Sequence, residues 1–93
     1  MTKRERSSQD RAVALQYDRA RMEAPTVVAK GEGFIARKIV ELAREADVPI
    51  VEDAVLVSAL LSLELGEEIP EELYQTVARV LAWIYRLEKG EEV

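Results

Sequence analysis

Carboxylates are the only abundant side chains in this sequence that could do chemistry. Its 93 residues include 18 Asp and Glu and 13 Lys and Arg, with no histidine and no cysteine. The lack of histidine removes the commonest general base, the commonest transition-metal ligand and the usual near-neutral pH sensor. The lack of cysteine removes thiolate chemistry and disulfides. A catalytic site would have to use carboxylates alone, and Glu52, Asp53, Glu67 and Glu68 are the candidates. Such a site needs strongly shifted carboxylate pKa values in a cleft. Each candidate also has a plainer role. Asp53 stands before an apolar run and suits a helix N-cap, its carboxylate accepting from free backbone amides. Pro70 suits a first helical position, and Glu71 and Glu72 then fall where the helix dipole favours negative charge. The acidic run from 67 to 72 could bind a divalent cation, but the helix start explains it without one. We expect no catalytic residue, no metal, no cofactor and no enzymatic activity.

Two further groups invite a ligand. Lys30, Gly31, Glu32 and Gly33 place two glycines at a helix start, where backbone amides attract anions. No Gly-x-Gly-x-x-Gly or Gly-Lys-Ser/Thr pattern follows, and Glu32 would repel a phosphate. The pair reads better as a turn that uses glycine's access to positive φ. Lys3, Arg4, Arg6 and Arg11 lie in a basic start. Residues 1–22 balance at +3 and residues 23–93 at −8, giving the net charge of −5. A basic arm on an acidic body can contact nucleic acid, with steep salt dependence. No aromatic interleaves the arm to stack on bases, and a solvated terminus is the simpler reading.

These residues are positioned by one domain. A chain of this length buries about 60–65% of the surface its unfolded form exposes, so its core is modest. Hydrophobic residues make up 48% and charged residues 33%, the balance of a globular protein. No stretch approaches the roughly 18–20 apolar residues that span a bilayer, and the start lacks the apolar segment of a secretory signal. A cytoplasmic protein is expected.

The pattern predicts a basic arm over 1–10, an ordered domain over 11–88 and a frayed tail over 89–93. Val13, Leu15 and Tyr17 alternate with small or polar residues, as in a half-buried strand over 12–17. A polar connection leads to Pro25 and a short apolar strand, Thr26, Val27, Val28 and Ala29, with an antiparallel return. A helix follows over about 33–46, with Ile35, Ile39, Leu42, Ala43 and Ala46 on one face; Asp47 ends it without the usual glycine. Val48, Pro49, Ile50 and Val51 form another apolar run. Two short strands joined by one amphipathic helix predict a parallel βαβ unit. A second helix, 54 to about 65, is apolar on nearly every face, which means burial or a patch for a partner. Gly66 would cap it. A third helix, about 70–88, carries the core stripe Leu73, Val77, Val80, Leu81, Ile84 and Leu87, with Tyr74 and Trp83 beside or away from it. The expected fold is α/β: a small mixed sheet of about three strands packed with three helices.

Four segments, residues 12–18 (AVALQYD), 24–31 (APTVVAKG), 48–52 (VPIVE) and 66–74 (GEEIPEELY), taken in this order and spacing, resemble the C-terminal cytoplasmic domain of FlhB, the flagellar type III export switch family. The resemblance spans roughly residues 11–88. It implies the family's α/β fold and a role in flagellar or type III export, docking export substrates or export-gate proteins. In the family an Asn-Pro-Thr-His tetrapeptide precedes the AVAL strand, and its asparagine side chain attacks its own carbonyl to cut the chain. Ser7, Ser8, Gln9 and Asp10 stand at those positions here, and the sequence contains no asparagine. A serine acyl shift at Ser7 and Ser8 would have no histidine to assist it, so no self-cleavage is expected. The family's membrane domain is absent from this sequence. The resemblance therefore implies a free-standing FlhB-like protein, standing in for the cleaved C-terminal part of FlhB at the cytoplasmic face of the export apparatus.

The family sheet has four strands, the first upstream of the cleavage motif, and ten residues cannot easily supply it. A partner's extended segment could then fill the open edge by β-addition. The expected working surfaces are the loop over 18–23, the strand ends near Glu52 and Asp53, and the exposed part of the second helix. The expected partners are export-apparatus proteins and export substrates. A nucleic-acid adaptor acting through the basic arm is the alternative function.

Overall fold

In the computed structural model, residues 10–18, Ala20 and 24–88 are described. The elements run β1 (Arg11–Gln16), β2 (Thr26–Glu32), α1 (Phe34–Glu45), α2 (Ala54–Leu60) and α3 (Glu71–Glu88). The mixed α/β class with three helices is as expected. β1 and β2 pair antiparallel, from Arg11 opposite Glu32 to Gln16 opposite Thr26, with the register shifting between Ala14 and Leu15. Val28 falls at that irregularity and is exposed.

The third strand and the parallel βαβ unit do not form: among the described residues the sheet has two strands. The reason is local. α1 ends in a Schellman arrangement, the Asp47 N–H donating to the Arg44 carbonyl (3.2 Å) and the Val48 N–H to the Ala43 carbonyl (2.8 Å). Asp47 takes the positive φ of 59° that glycine usually supplies there. Val48 has thus spent its donor on the helix and Pro49 has none, so half of the run has no N–H to offer a ladder. Val48, Ile50 and Val51 remain exposed instead.

The turn into α1 depends on both glycines. Gly33 is the N-cap, at φ 59° and ψ −125°. Gly31 lies within β2, and a Cβ placed on it would collide with the Ile35 side chain. The glycines serve close approach and turn geometry, as the sequence suggests.

α2 stops at Leu60, five residues before its expected end. The Lys30 ammonium donates to the carbonyls of Leu61 (3.1 Å) and Leu63 (2.5 Å), satisfying acceptors at the helix end. The chain then turns back along β2. The Gly66 N–H donates to the Val27 carbonyl, the Val27 N–H to the Glu67 carbonyl, and the Ile69 N–H to the Pro25 carbonyl. Gly66 therefore ties the loop to β2 instead of capping a helix. Tertiary hydrogen bonds take over groups that a longer α2 would have satisfied internally.

The core gathers Val27, Leu60, Leu63, Ile69 and Val77, with Val13, Leu15, Leu56, Leu73 and Leu81 packed against them. The expected α3 stripe supplies Leu73, Val77 and Leu81 to it.

Candidate functional site

The end of β1, the start of β2 and one face of α3 enclose an open apolar groove of about 250 Å³. Tyr17 and Pro25 form one wall. Tyr74, Ala78, Leu81, Ala82 and Tyr85 form the other. On α3 these five recur at offsets of 4, 7, 8 and 11 from Tyr74, which places them on one helical face. That face lies beside the buried stripe, and Leu81 belongs to both. The groove exists because Ala78 and Ala82 are small between the larger Tyr74 and Tyr85. Aromatic walls around an apolar floor suit an apolar side chain.

Sequence reasoning missed this groove. The signal was present in Ala78 and Ala82 set between Tyr74 and Tyr85 on one face of α3, but it reads as core margin until Tyr17 and Pro25 face it. Trp83, 40% exposed, does not line the groove.

Among the described residues, Asp53 and Glu67 have local structural roles. The Asp53 carboxylate accepts from the Leu56 N–H at 3.0 Å and caps α2 as expected. Glu67 accepts from the Glu64 N–H at 2.8 Å and so braces the turn after α2. Glu71 and Glu72 lie in the first turn of α3. Among the described residues no group of three acidic side chains is placed to hold a metal ion.

Of the positions matching the family's cleavage tetrapeptide, Ser7, Ser8 and Gln9 lie outside the described residues, as do Lys3, Arg4 and Arg6 of the arm and the tail over 89–93. Asp10 is described, and it is fastened twice. Its carbonyl accepts from the Gly33 N–H at 2.9 Å, and its carboxylate pairs with Arg37 at 3.1 Å. The segment entering β1 is thereby tied to the start of α1. Both partners of the ion pair are exposed, so the pair itself adds at most about 1 kcal/mol. Of the expected working surfaces, the loop over 18–23 is described only at Asp18 and Ala20, where the Ala20 N–H donates to the Asp18 carboxylate. Val55 on α2 is 82% exposed, so that helix does present an apolar side chain outward.

Comparison with known proteins assigns the fold to a family. The model of the FlhB HrpN YscU SpaS family matches residues 8–84. The protein YlqH of Bacillus subtilis (strain 168) is 44% identical over 80 residues, covering 86% of both chains. The flagellar biosynthetic protein FlhB of Escherichia coli (strain K12) is 48% identical over 79 residues, covering 84% of this chain and 21% of that protein. The chain thus spans about a fifth of the length of the FlhB proteins it matches. Among solved structures, the cytoplasmic domain of FlhB from Shewanella putrefaciens superposes with a TM-score of 0.76 at 39% identity, covering 86% of this chain and 71% of that one. The PscU C-terminal domain superposes with a TM-score of 0.74 at 29% identity, covering 80% and 95%. With sequence and fold in agreement over nearly all the described residues, the chain belongs to the FlhB HrpN YscU SpaS family.

Proposed function

We propose that this chain is a non-enzymatic docking component of flagellar or type III protein export. The observation that carries the reading is the tyrosine-walled groove on a domain of the FlhB family. Its occupant is an apolar side chain on a short segment of an exported or export-apparatus protein. The acidic body, with its balance of −8 over residues 23–93, favours a segment with basic flanks. The chain acts at the cytoplasmic face of the apparatus and takes the place of the C-terminal domain of FlhB there. It needs no cofactor and binds no nucleic acid.

The test substitutes the groove floor. Ala78 is only half buried on the surface of α3, so Ala78→Glu fills the groove with a charge while leaving the core intact. In a pulldown from a flagellated-cell lysate, the unaltered chain retains export proteins identified by mass spectrometry. Ala78→Glu loses them, with an unchanged melting temperature. Equal retention of the same export proteins by the variant removes the groove from the reading, and recovery of nucleic acid in their place favours the basic arm.

The chain also works uncut. The family's cyclisation needs an asparagine side chain, and none is present. Intact mass after long incubation stays at that of the full 10.5 kDa chain. A fragment beginning at Ser8 would refute this.

A further inference from the structure

Two stretches of backbone in this fold have unmet hydrogen-bonding capacity. One is the outer edge of β1: outside its ladder with β2, no backbone N–H or C=O of β1 has a backbone partner among the described residues. That edge contains no proline, lysine or inward charge to guard it. The other is the segment over 50–52, whose backbone neither donates nor accepts a hydrogen bond among the described residues. With Val48 it presents Ile50 and Val51 to solvent, at 51%, 41% and 36% exposure. β-Branched side chains on an unpaired backbone have the composition of a strand without a sheet.

β2 cannot accept this segment along its first half. Its outer edge at Val27 is already bonded to Gly66 and Glu67. The β-addition edge expected at 26–29 is therefore closed there, and the one at β1 is open. Each copy of the chain thus holds one unpaired strand and one unpaired edge.

We propose that two copies associate by reciprocal exchange, the segment over 50–52 of each adding to the β1 edge of the other. Both deficits are met at once in a closed twofold pair. The charges agree. The donor segment ends at the exposed Glu52, and β1 begins at the exposed Arg11, so an antiparallel pairing sets Glu52 opposite Arg11. Pro49, just before the donor, is compatible with an edge position. The pairing uses the β1 edge over 11–16 and none of the residues that line the groove.

Light scattering coupled to size exclusion, across a concentration series, tests it on the full chain. The expected species approaches twice the 10.5 kDa chain mass as concentration rises. Ile50→Lys changes an exposed side chain and leaves the fold intact by circular dichroism, yet weakens the pair by more than about tenfold through charge on the shared edge. Because the chain has no cysteine of its own, mixing the single variants Arg11→Cys and Glu52→Cys gives a crosslink between the two variants under oxidation. A monomer at every concentration overturns the proposal. So does a dimer indifferent to Ile50→Lys, an open-ended series of higher masses, or protection of the 50–52 amides only when an export protein is added.

Discussion

Replacing Leu60 by alanine lowers the unfolding free energy by about 2–5 kcal/mol. The domain as a whole holds of order 5–15 kcal/mol, so a loss at the upper end leaves it largely unfolded at physiological temperature. The size of the effect follows from position. Leu60 is the last residue of α2, is 3% exposed, and packs with Val27, Leu63, Ile69 and Val77. α2 has only 7 residues, too few to persist as a helix without tertiary packing. Removing the Leu60 side chain opens a cavity at the meeting point of α2, β2 and α3, and it also releases α2. Urea unfolding followed by circular dichroism measures the change as a shift in midpoint at constant slope. Val55→Ala, on the same helix at 82% exposure, changes stability by less than about 0.5 kcal/mol and serves as the control. If the two variants unfold together, the core is not where the structure places it.

Gly33→Ala has the next largest effect, a loss of about 1–3 kcal/mol from backbone strain. At φ 59° and ψ −125° the residue occupies the mirror image of the extended region, which a Cβ excludes. The strain falls on a junction. The Gly33 N–H holds the Asp10 carbonyl, and its own carbonyl accepts from Arg37 at the first turn of α1. Relaxing φ to a negative value would turn both groups away. The substitution therefore unties the entry into β1 as well as the helix start, and hydrogen exchange at Gly33 and Arg37 rises out of proportion to the global change. Uniform acceleration across the domain would instead mean that the strain is absorbed without opening the junction.

The glycine pair was open to two readings in the sequence, a turn or a phosphate cradle, and the structure favours the turn through two separate contacts. Gly33 supplies a conformation, and Gly31 supplies the space into which Ile35 packs. The carboxylates followed the same course. Asp53 caps α2 and Glu67 braces a turn. The Asp53 cap is the task its place before an apolar run indicated, while the bond from the Glu64 N–H to Glu67 is one the sequence reading did not include.

What the sequence determined by itself was whatever depends on short-range order. The alternation of Val13 and Leu15, the stripe of Leu73, Val77 and Leu81, the Asp53 cap, and the four ordered segments that mark the FlhB family were all readable from residue type and spacing. Its lack of histidine, cysteine and asparagine fixed the available chemistry before any fold was considered. Tertiary structure decided the points where two distant segments compete for the same group. The run at 48–51 has a strand's composition, but the end of α1 takes its first donor. α2 has apolar residues enough to continue, but Lys30 and Val27 claim the backbone beyond it. The groove has five of its seven lining residues on α3 and two some fifty to sixty residues earlier, at Tyr17 and Pro25, and no local pattern contains both. Periodicity reports which face of an element is apolar; only packing reports which apolar face is left uncovered.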